Sequence, residues 1–559
     1  MTKGIIYDIN VATMHVDSST VKRKNKSYTR HLLRTSFREN GKVKHKTIAN
    51  LAGCSEHEIK AIKLALKHKD KLSALVCIKD IKTVLGKRIG AVWTMSVFAD
   101  RLGITRALGG DRNGKLALCQ VIARIIDQGS RLSAVRFAQR HAVCEVVGID
   151  KLDEDDLYKN LAWLSDQQEN IEKKLFKQRF PNKEPILFLY DATSSYLEGV
   201  CNQLAGWGYG RDKKKGKMQI VVGLLAGPDG LPVAVRVFQG DTNDTKTVSE
   251  QVWILANSFG AKQVTLVGDR GMLKGPQIDK LPDDFRYITA ITKPQIRKML
   301  EARVLQYELF TDIVCEVEYS SVRYVLRRNP MRAEQIVMTR QSKLESVLKL
   351  VKERNNYLAE HPRATIDAAL KKVSAKIKKL KTEKWLNATA TQRVITIERD
   401  ESVLEQAALL DGCYVIKSDV PKEFAEAKTL HDRYCDLENV ERAFRTMKTA
   451  HLEMRPVFVR KIKSTKGHAF VVMLALLLQR ELERCWADLD LTVEEGIDEL
   501  AAIHMEEVRV GSTRIENIPT PNKIGRKLLK KAEITLPSVL PSRTANVHTK
   551  KKLSSERFF

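Results

Sequence analysis

Long hydrophobic runs, paired cysteines and an excess of acid are what this sequence lacks. The longest apolar run, Ala469 to Leu478 (AFVVMLALLL), is about half of the roughly 20 residues that a membrane-spanning helix needs. Lys466 on one side and Gln479-Arg480 on the other fit a buried helix, so no membrane partner is expected. The amino terminus, MTKGIIYDIN, has no basic segment followed by an apolar core, which argues against a secretion signal. The nine cysteines are odd in number and contain no CxxC pair. A disulfide framework and a zinc site are thereby disfavoured, and a reduced cytoplasmic protein is expected. Acid is the minority charge: Asp and Glu number 68 against 96 Lys and Arg, a net charge of +28. A surplus of that size favours a polyanion as partner, and nucleic acid is the commonest one.

What is present is an ordinary globular composition, 43% hydrophobic over 559 residues, too long for one core and so expected to split into domains. The most informative stretch is His431 to Pro456, HDRYCDLENVERAFRTMKTAHLEMRP. Free of Gly and of Pro before Pro456, it reads as one helix of about six turns. Tyr434, Glu441 and Lys448 recur every seven residues and so share nearly one line, which Arg445 also approaches. Leu437, Val440, Phe444 and Met447 form an apolar line rotated by roughly 80°. One carboxylate then sits at the edge of a buried face, flanked by a phenol and an ammonium. Such a helix aims an acid at a metal while cations hold a phosphate; the alternative is a basic amphipathic helix facing water.

In chain order, residues 1–85 read as a basic amino-terminal hairpin and α arm. Ser27–Phe37 and Lys42–Ile48 flank Glu39-Asn40-Gly41, and Asn-Gly is a strong hairpin signal. Residues 86–180 read as a helical DNA-binding region. Leu116–Ile126, a break at Asp127–Ser130, and a basic helix from Arg131 to His141 have the layout of a helix-turn-helix, with Arg131, Arg136, Gln139 and Arg140 on polar faces. Two packed structural helices would look the same. Residues 181–298 carry a strand Ile186–Tyr190 ending on Asp191, and then a hairpin of Gln219–Ala226 and Pro232–Phe238. A helix over about Thr245–Asn257 and a strand Val264–Gly268 ending on Asp269 follow. Strand, hairpin, helix and strand in that order begin a ribonuclease-H-like sheet with the first and fourth strands adjacent. Residues 299–408 read as an inserted α+β domain, and 409–505 as the second part of the core with the Glu helix. Residues 506–559 read as a flexible basic tail with non-specific affinity for DNA. The fold class expected is therefore α/β: a ribonuclease-H-like mixed sheet core with an inserted α+β domain and a helical amino-terminal DNA-binding region.

Asp191, Asp269 and Glu441 are the acids placed in one site. Oxygen ligands with no His or Cys cluster suit Mg²⁺ or Mn²⁺, and two such ions roughly 4 Å apart serve both oxygens of a phosphodiester displacement. The segments YDATSSYLEG and VGDRGML, with Tyr434, Glu441 and Lys448, resemble the DDE transposases of bacterial insertion sequences, in the subgroup with a Tyr-Arg-Glu-Lys signature. Leu437 stands where that signature has Arg. Arg433, Arg442 and Arg445 are the available substitutes, Arg445 being best aligned. The resemblance covers about residues 181–480. It implies double-stranded DNA as partner (inverted-repeat element ends and target), assembly as a homodimer or higher synaptic multimer, and a nucleoid-associated place in a bacterial cytoplasm. Tyr434 and Lys448 would hold the end phosphate.

The loop containing Trp207, Tyr209, Arg211 and Lys213 is glycine-rich, basic and aromatic. It is expected to stack on an unpaired base and contact phosphate, the alternative being a solvated loop. Asp241 and Asp244 are rival ligands or, by the other reading, caps of the following helix. Glu438 is a rival to Glu441 lying off the Tyr–Lys line, and His451 and His468 read as packing or phosphate-facing residues. The expected activity is metal-dependent DNA cleavage and strand transfer. A purely hydrolytic ribonuclease-H-like nuclease or resolvase, and a catalytically silent DNA-binding regulator, are the competing readings.

Overall fold

The computed structural model describes residues 13–23, 26–39, 42–70, 81–181, 187–212, 214–449, 452–510, 513–540 and 546–547. The chain forms two compact units, one of residues 1–86 with 505–518 and one of the remainder.

In the larger unit an eight-stranded mixed sheet is assembled from β1 (Leu187–Tyr196), β2 (Gln219–Ala226), β3 (Pro232–Phe238), β4 (Thr265–Gly268), β5 (Arg286–Ala290), β6 (Cys315–Tyr319), β7 (Val322–Arg328) and β8 (Cys413–Ser418). Their order is β6-β7-β8-β5-β4-β1-β2-β3. The hairpin β2–β3 falls where the sequence places it, because every residue of QIVVGLLA after Gln219 is apolar or Gly and all eight positions are buried. β1 pairs parallel with β4, in the register Tyr190↔Gly268, so the expected adjacency of the first and fourth strands is present. β1 is longer than the expected Ile186–Tyr190: it runs on through Ser194 and Ser195, so Asp191 lies inside the strand and not at its end. Antiparallel pairing with β2 from Leu189 to Tyr196 supplies the hydrogen bonds that carry polar residues in strand form.

Side chains alternate along β1. Phe188, Tyr190 and Ala192 enter a core with Phe176, Val248 and Phe259, and Asp191 and Thr193 take the other face. Of the helices, α1 (Glu154–Arg179), α2 (Asp244–Trp253), α3 (Ala427–Cys435), α4 (Leu437–Lys448) and α5 (Ile462–Trp486) frame the sheet. α5 contains the apolar run Ala469–Leu478 and packs on both β3 and α1, as a buried helix should. The pair Arg112–Ile126 and Arg131–Arg140 is helical, but Arg131 is not on a polar face. It is buried and donates to Gln120 and, at 3.5 Å, to His468 Nδ1. Packing against α5 has claimed it, and it is not available to read a groove.

The residues expected to form the insertion, 299–408, divide between two structures. β6 and β7 extend the main sheet beside β8, whereas Pro330–Glu360, Ile366–Lys379 and the hairpin Leu386–Thr391/Val394–Arg399 close their own core around Val347, Val373, Leu386 and Ile395. The expected flexible tail is also partly folded. Lys523–Lys531 is a helix with Leu528 and Leu529 buried, its apolar residues spaced to bury one face despite the Lys-rich composition.

The smaller unit contains the antiparallel sheet Thr13–Arg23, Lys26–Glu39 and Lys42–Asn50; Asn40 and Gly41 of the expected turn lie outside the described residues. The helix Glu56–Lys67 begins with a capping box of Ser55 and Glu58. A second sheet orders Thr513–Asn517, His504–Val510 and Ile81–Arg88, so part of the expected tail is strand.

Gly467 marks where α5 crosses α1: an added Cβ would stand 2.8 Å from the Leu161 carbonyl carbon and closer to its oxygen. Neither backbone can yield locally. Gly467→Ala should therefore destabilise the larger unit by about 1–3 kcal/mol, read as a lower urea midpoint of unfolding.

Candidate active site

Where the expected helix His431–Pro456 should run, the backbone makes two. α3 ends at Cys435, α4 begins at Leu437, and Asp436 between them accepts from Asn439 N in a tight turn (2.9 Å). α4 ends at Lys448, well before Pro456. The line of Tyr434, Glu441 and Lys448 survives this break in one respect: all three line the same cleft of about 920 Å³, together with Asp191, Asp269, Arg211, Asp212, Glu438, Arg445 and Arg455.

Strand geometry delivers two of the acids. Because Tyr190 lies opposite Gly268 in a parallel pair, Asp191 and Asp269 are the next residues on neighbouring chains, with backbones roughly 5 Å apart. Asp191 Oδ1 accepts from Ala192 N at 2.7 Å and Asp269 Oδ1 from Arg270 N at 2.8 Å. α4 delivers the third. Val440, Ala443, Phe444 and Met447 are buried, which turns Glu441 toward β1.

Burial pushes the Asp191 carboxyl up to about 7; Arg211 and the Ala192 N–H oppose this, and the charges of Asp269 and Glu441 add to it. Both acids therefore act electrostatically on Asp191; Glu438 also lines the cleft and so is not as remote as its place on the helix indicates. Among the described residues no three His, Cys, Asp or Glu side chains are gathered tightly enough to hold one ion. Mutual repulsion of unneutralised carboxylates opposes such a cluster.

The expected phosphate ligands divide. Tyr434 hydrogen-bonds Asp269, and burial and that carboxylate push its phenol up. Lys448 is not free: only 9% of its side chain is exposed, and Nζ donates to Thr193 Oγ1 at 2.6 Å and Asp212 Oδ1 at 3.0 Å. Burial lowers its pKa and Asp212 raises it. Arg445 lines the cleft. Arg442 does not, and donates to Asn439 at 2.7 Å; Arg433 also lies elsewhere, paired with Asp436 at 2.9 Å.

Arg211 lines the cleft and pairs with Asp244 at 2.5 Å, so Asp244 serves as a counter-ion; no side-chain cap bond forms at the preceding Asn243. Trp207 is exposed and outside the cleft lining. Lys213 and His451 lie outside the described residues. His468 is buried against Arg131 and Met454 O, a packing role.

Sequence reasoning missed Asp212 and Arg455. Asp212 follows a loop arginine and Arg455 lies in the loop beyond α4, where no period marks a residue as inward-facing. The nearest signal was the density of charge in GRDKKKGK.

Residues 182–478, more than half of the chain, match the family model described as a transposase DDE domain. Residues 16–75 match the one described as the N-terminal domain of IS1634 family transposases. The comparison with curated proteins finds no match. Among solved structures, a piggyBac transposase synaptic complex with hairpin DNA is similar at 8% identity and a TM-score of 0.33, over 76% of this chain and 71% of that one. A likeness that low adds nothing to the assignment. The chain belongs to the DDE transposases, with an amino-terminal domain of the IS1634 type, and is a DNA transposase.

Proposed function

We propose that the chain binds the terminal inverted repeats of an insertion sequence and cuts and joins DNA in the cleft between β1, β4 and α4, with Asp191, Asp269 and Glu441 as metal ligands. The observation that carries this reading is the perturbed Asp191 carboxyl, buried beside two further acids in a cleft otherwise rich in cations. The donor set fits hard divalent ions. Every candidate ligand is a carboxylate oxygen; among the described residues no His lines the cleft, and burial pushes the one lining thiol, Cys435, up, so that it stays protonated.

Asp191, on the central strand, would be shared by two sites, with Asp269 completing one and Glu441 the other. When bound there, Mg²⁺ or Mn²⁺ supplies Lewis-acid activation of the attacking oxygen and charge neutralisation at the leaving oxygen. The chain's own residues bind and orient. Asp269 fixes the Tyr434 hydroxyl beside the acids, and Arg445 and Arg211 present positive charge to a phosphodiester. Water attacks first and leaves a 3′-hydroxyl, which then attacks target DNA in line. The ribonuclease-H-like character of the sheet, a synaptic multimer and DNA contacts by the inserted helices belong to the same reading.

Asp191→Asn should lower Mg²⁺-dependent cleavage of an end duplex by roughly 10³-fold or more, the scale of losing a transition-state charge stabiliser. Binding of the end should persist in a gel-shift assay, and wild-type cleavage by the variant would sink the assignment. Pre-cleaved ends supplied with a target plasmid should yield joined product; ends that are only degraded would mark a hydrolase.

Without metal, the same Asp191→Asn variant should melt a few degrees above wild type, because it removes a charge that burial and two neighbouring acids disfavour. Mg²⁺ should raise the wild-type melting temperature more than the variant's. Lys448→Met removes one of the two cations on Asp212 and the link to Thr193, leaving Arg455 as the remaining cation, and should cost about 1–3 kcal/mol in urea unfolding.

A further inference from the structure

We propose that Arg455 is the side chain that grips the phosphodiester at the element end, and that Asp212 is the positioning residue that holds it ready, with Lys448 as an internal strut. This rests on the transposase reading of the cleft, and it answers the absence of the signature arginine at Leu437.

Asp212 is a fifth carboxylate in the cleft, beside Asp191, Asp269, Glu438 and Glu441, but it is already paired with cations. Its side chain is 5% exposed; Oδ1 accepts from Lys448 Nζ at 3.0 Å and from Arg455 Nη1, and Oδ2 from Tyr196 N at 3.1 Å. Lys448 spends its other close contact on Thr193, two residues along the strand from Asp191 and on the same face. The ammonium is thus a link between α4 and β1. Arg455 differs: its side chain is 28% exposed, and it lines the cleft.

Everything around Arg455 is fixed. Nε donates to Lys448 O at 3.2 Å, Met454 N to Met447 O at 2.8 Å, and Val457 N to Tyr196 O at 3.2 Å. The guanidinium plane is held by Nε and Nη1, and Nη2 has no hydrogen-bond partner among the described residues. A planar fork set in advance suits phosphate and loses little freedom on binding. Two cations and one carboxylate (+1 +1 −1) leave a single positive charge, matching one phosphodiester. Arg445 shares the cleft, but its side chain makes no hydrogen bond among the described residues, so its guanidinium would have to be ordered by the DNA itself.

The test uses the full chain and end duplexes in which one phosphate at a time near the terminus is a neutral methylphosphonate, with binding measured in the absence of divalent ions. Arg455→Gln should weaken the native end roughly 10- to 100-fold, the scale of a charge-assisted bond. On the duplex neutralised at the contacted phosphate, it should bind as wild type does. Asp212→Asn should leave affinity for the native end within about threefold but slow single-turnover cleavage roughly 10- to 100-fold by misplacing the fork.

Should Asp212→Asn fail to fold, the Arg455→Lys variant decides: charge without the fork should restore only part of the affinity, and only at the same phosphate. Loss of affinity by Arg455→Gln equally on every duplex, or no loss, overturns the proposal. Asp191→Asn separates the two levels. If it still cuts, the metal site is wrong; if it is inert while Arg455→Gln binds all duplexes normally, only the present inference falls.

Discussion

Asp191, Asp269 and Glu441 repel one another across one cleft, with Asp191 the least exposed of the three, and the architecture of the larger unit follows from making that tolerable. Asp191 bears the strain, because it lies in the middle of β1, paired with Leu224 of β2 and directly after Tyr190, where the pairing with β4 ends. Burial and two neighbouring acids push its carboxyl up to about 7. A flexible loop would relax such an arrangement by moving. A strand locked between β2 and β4, backed by Phe176, Tyr190 and Phe259, has no such freedom, so the cost remains stored until a cation arrives.

The positive side of the cleft is organised with equal economy. Arg211 is paired with Asp244, and Lys448 and Arg455 are paired with Asp212. Three of the four cations lining the cleft thus already have a carboxylate, and Arg445 is the exception among the described residues. This keeps lysine and arginine from collapsing onto Asp191, Asp269 and Glu441, where they would compete with a metal. It also explains how a phenol, a carboxylate and an ammonium can share one line without cancelling: Tyr434 is tied to Asp269, and Lys448 is tied to Asp212 and not to Glu441.

Reading the sequence succeeded where structure is periodic. The hairpin β2–β3 and the buried α5 follow from unbroken apolar runs, and the adjacency of β1 and β4 follows from the order of elements. The interruption at Asp436 left no such mark, since Asp, Leu and Glu are all compatible with continuing a helix; packing of α3 and α4 on different parts of the sheet imposed it. Nor was the length of β1 visible. Thr193, Ser194 and Ser195 are poor evidence for a strand until β2 supplies their hydrogen-bond partners. Arg131 misled for a related reason, because composition reports charge and only a neighbouring helix decides whether that charge meets water.

The sequence by itself singled out Asp191, Asp269 and Glu441, which line one cleft in the folded chain, since strand patterns and a seven-residue recurrence are local features of the backbone. It also determined the basic surplus and the family resemblance. Only the tertiary structure decided what each cation does: that Lys448 is an internal strut, that Asp212 is its counter-ion, and that Arg455 reaches the cleft from beyond α4. Those roles depend on contacts between residues far apart in the chain and on loops with no period, and neither can be read before the chain has closed on itself.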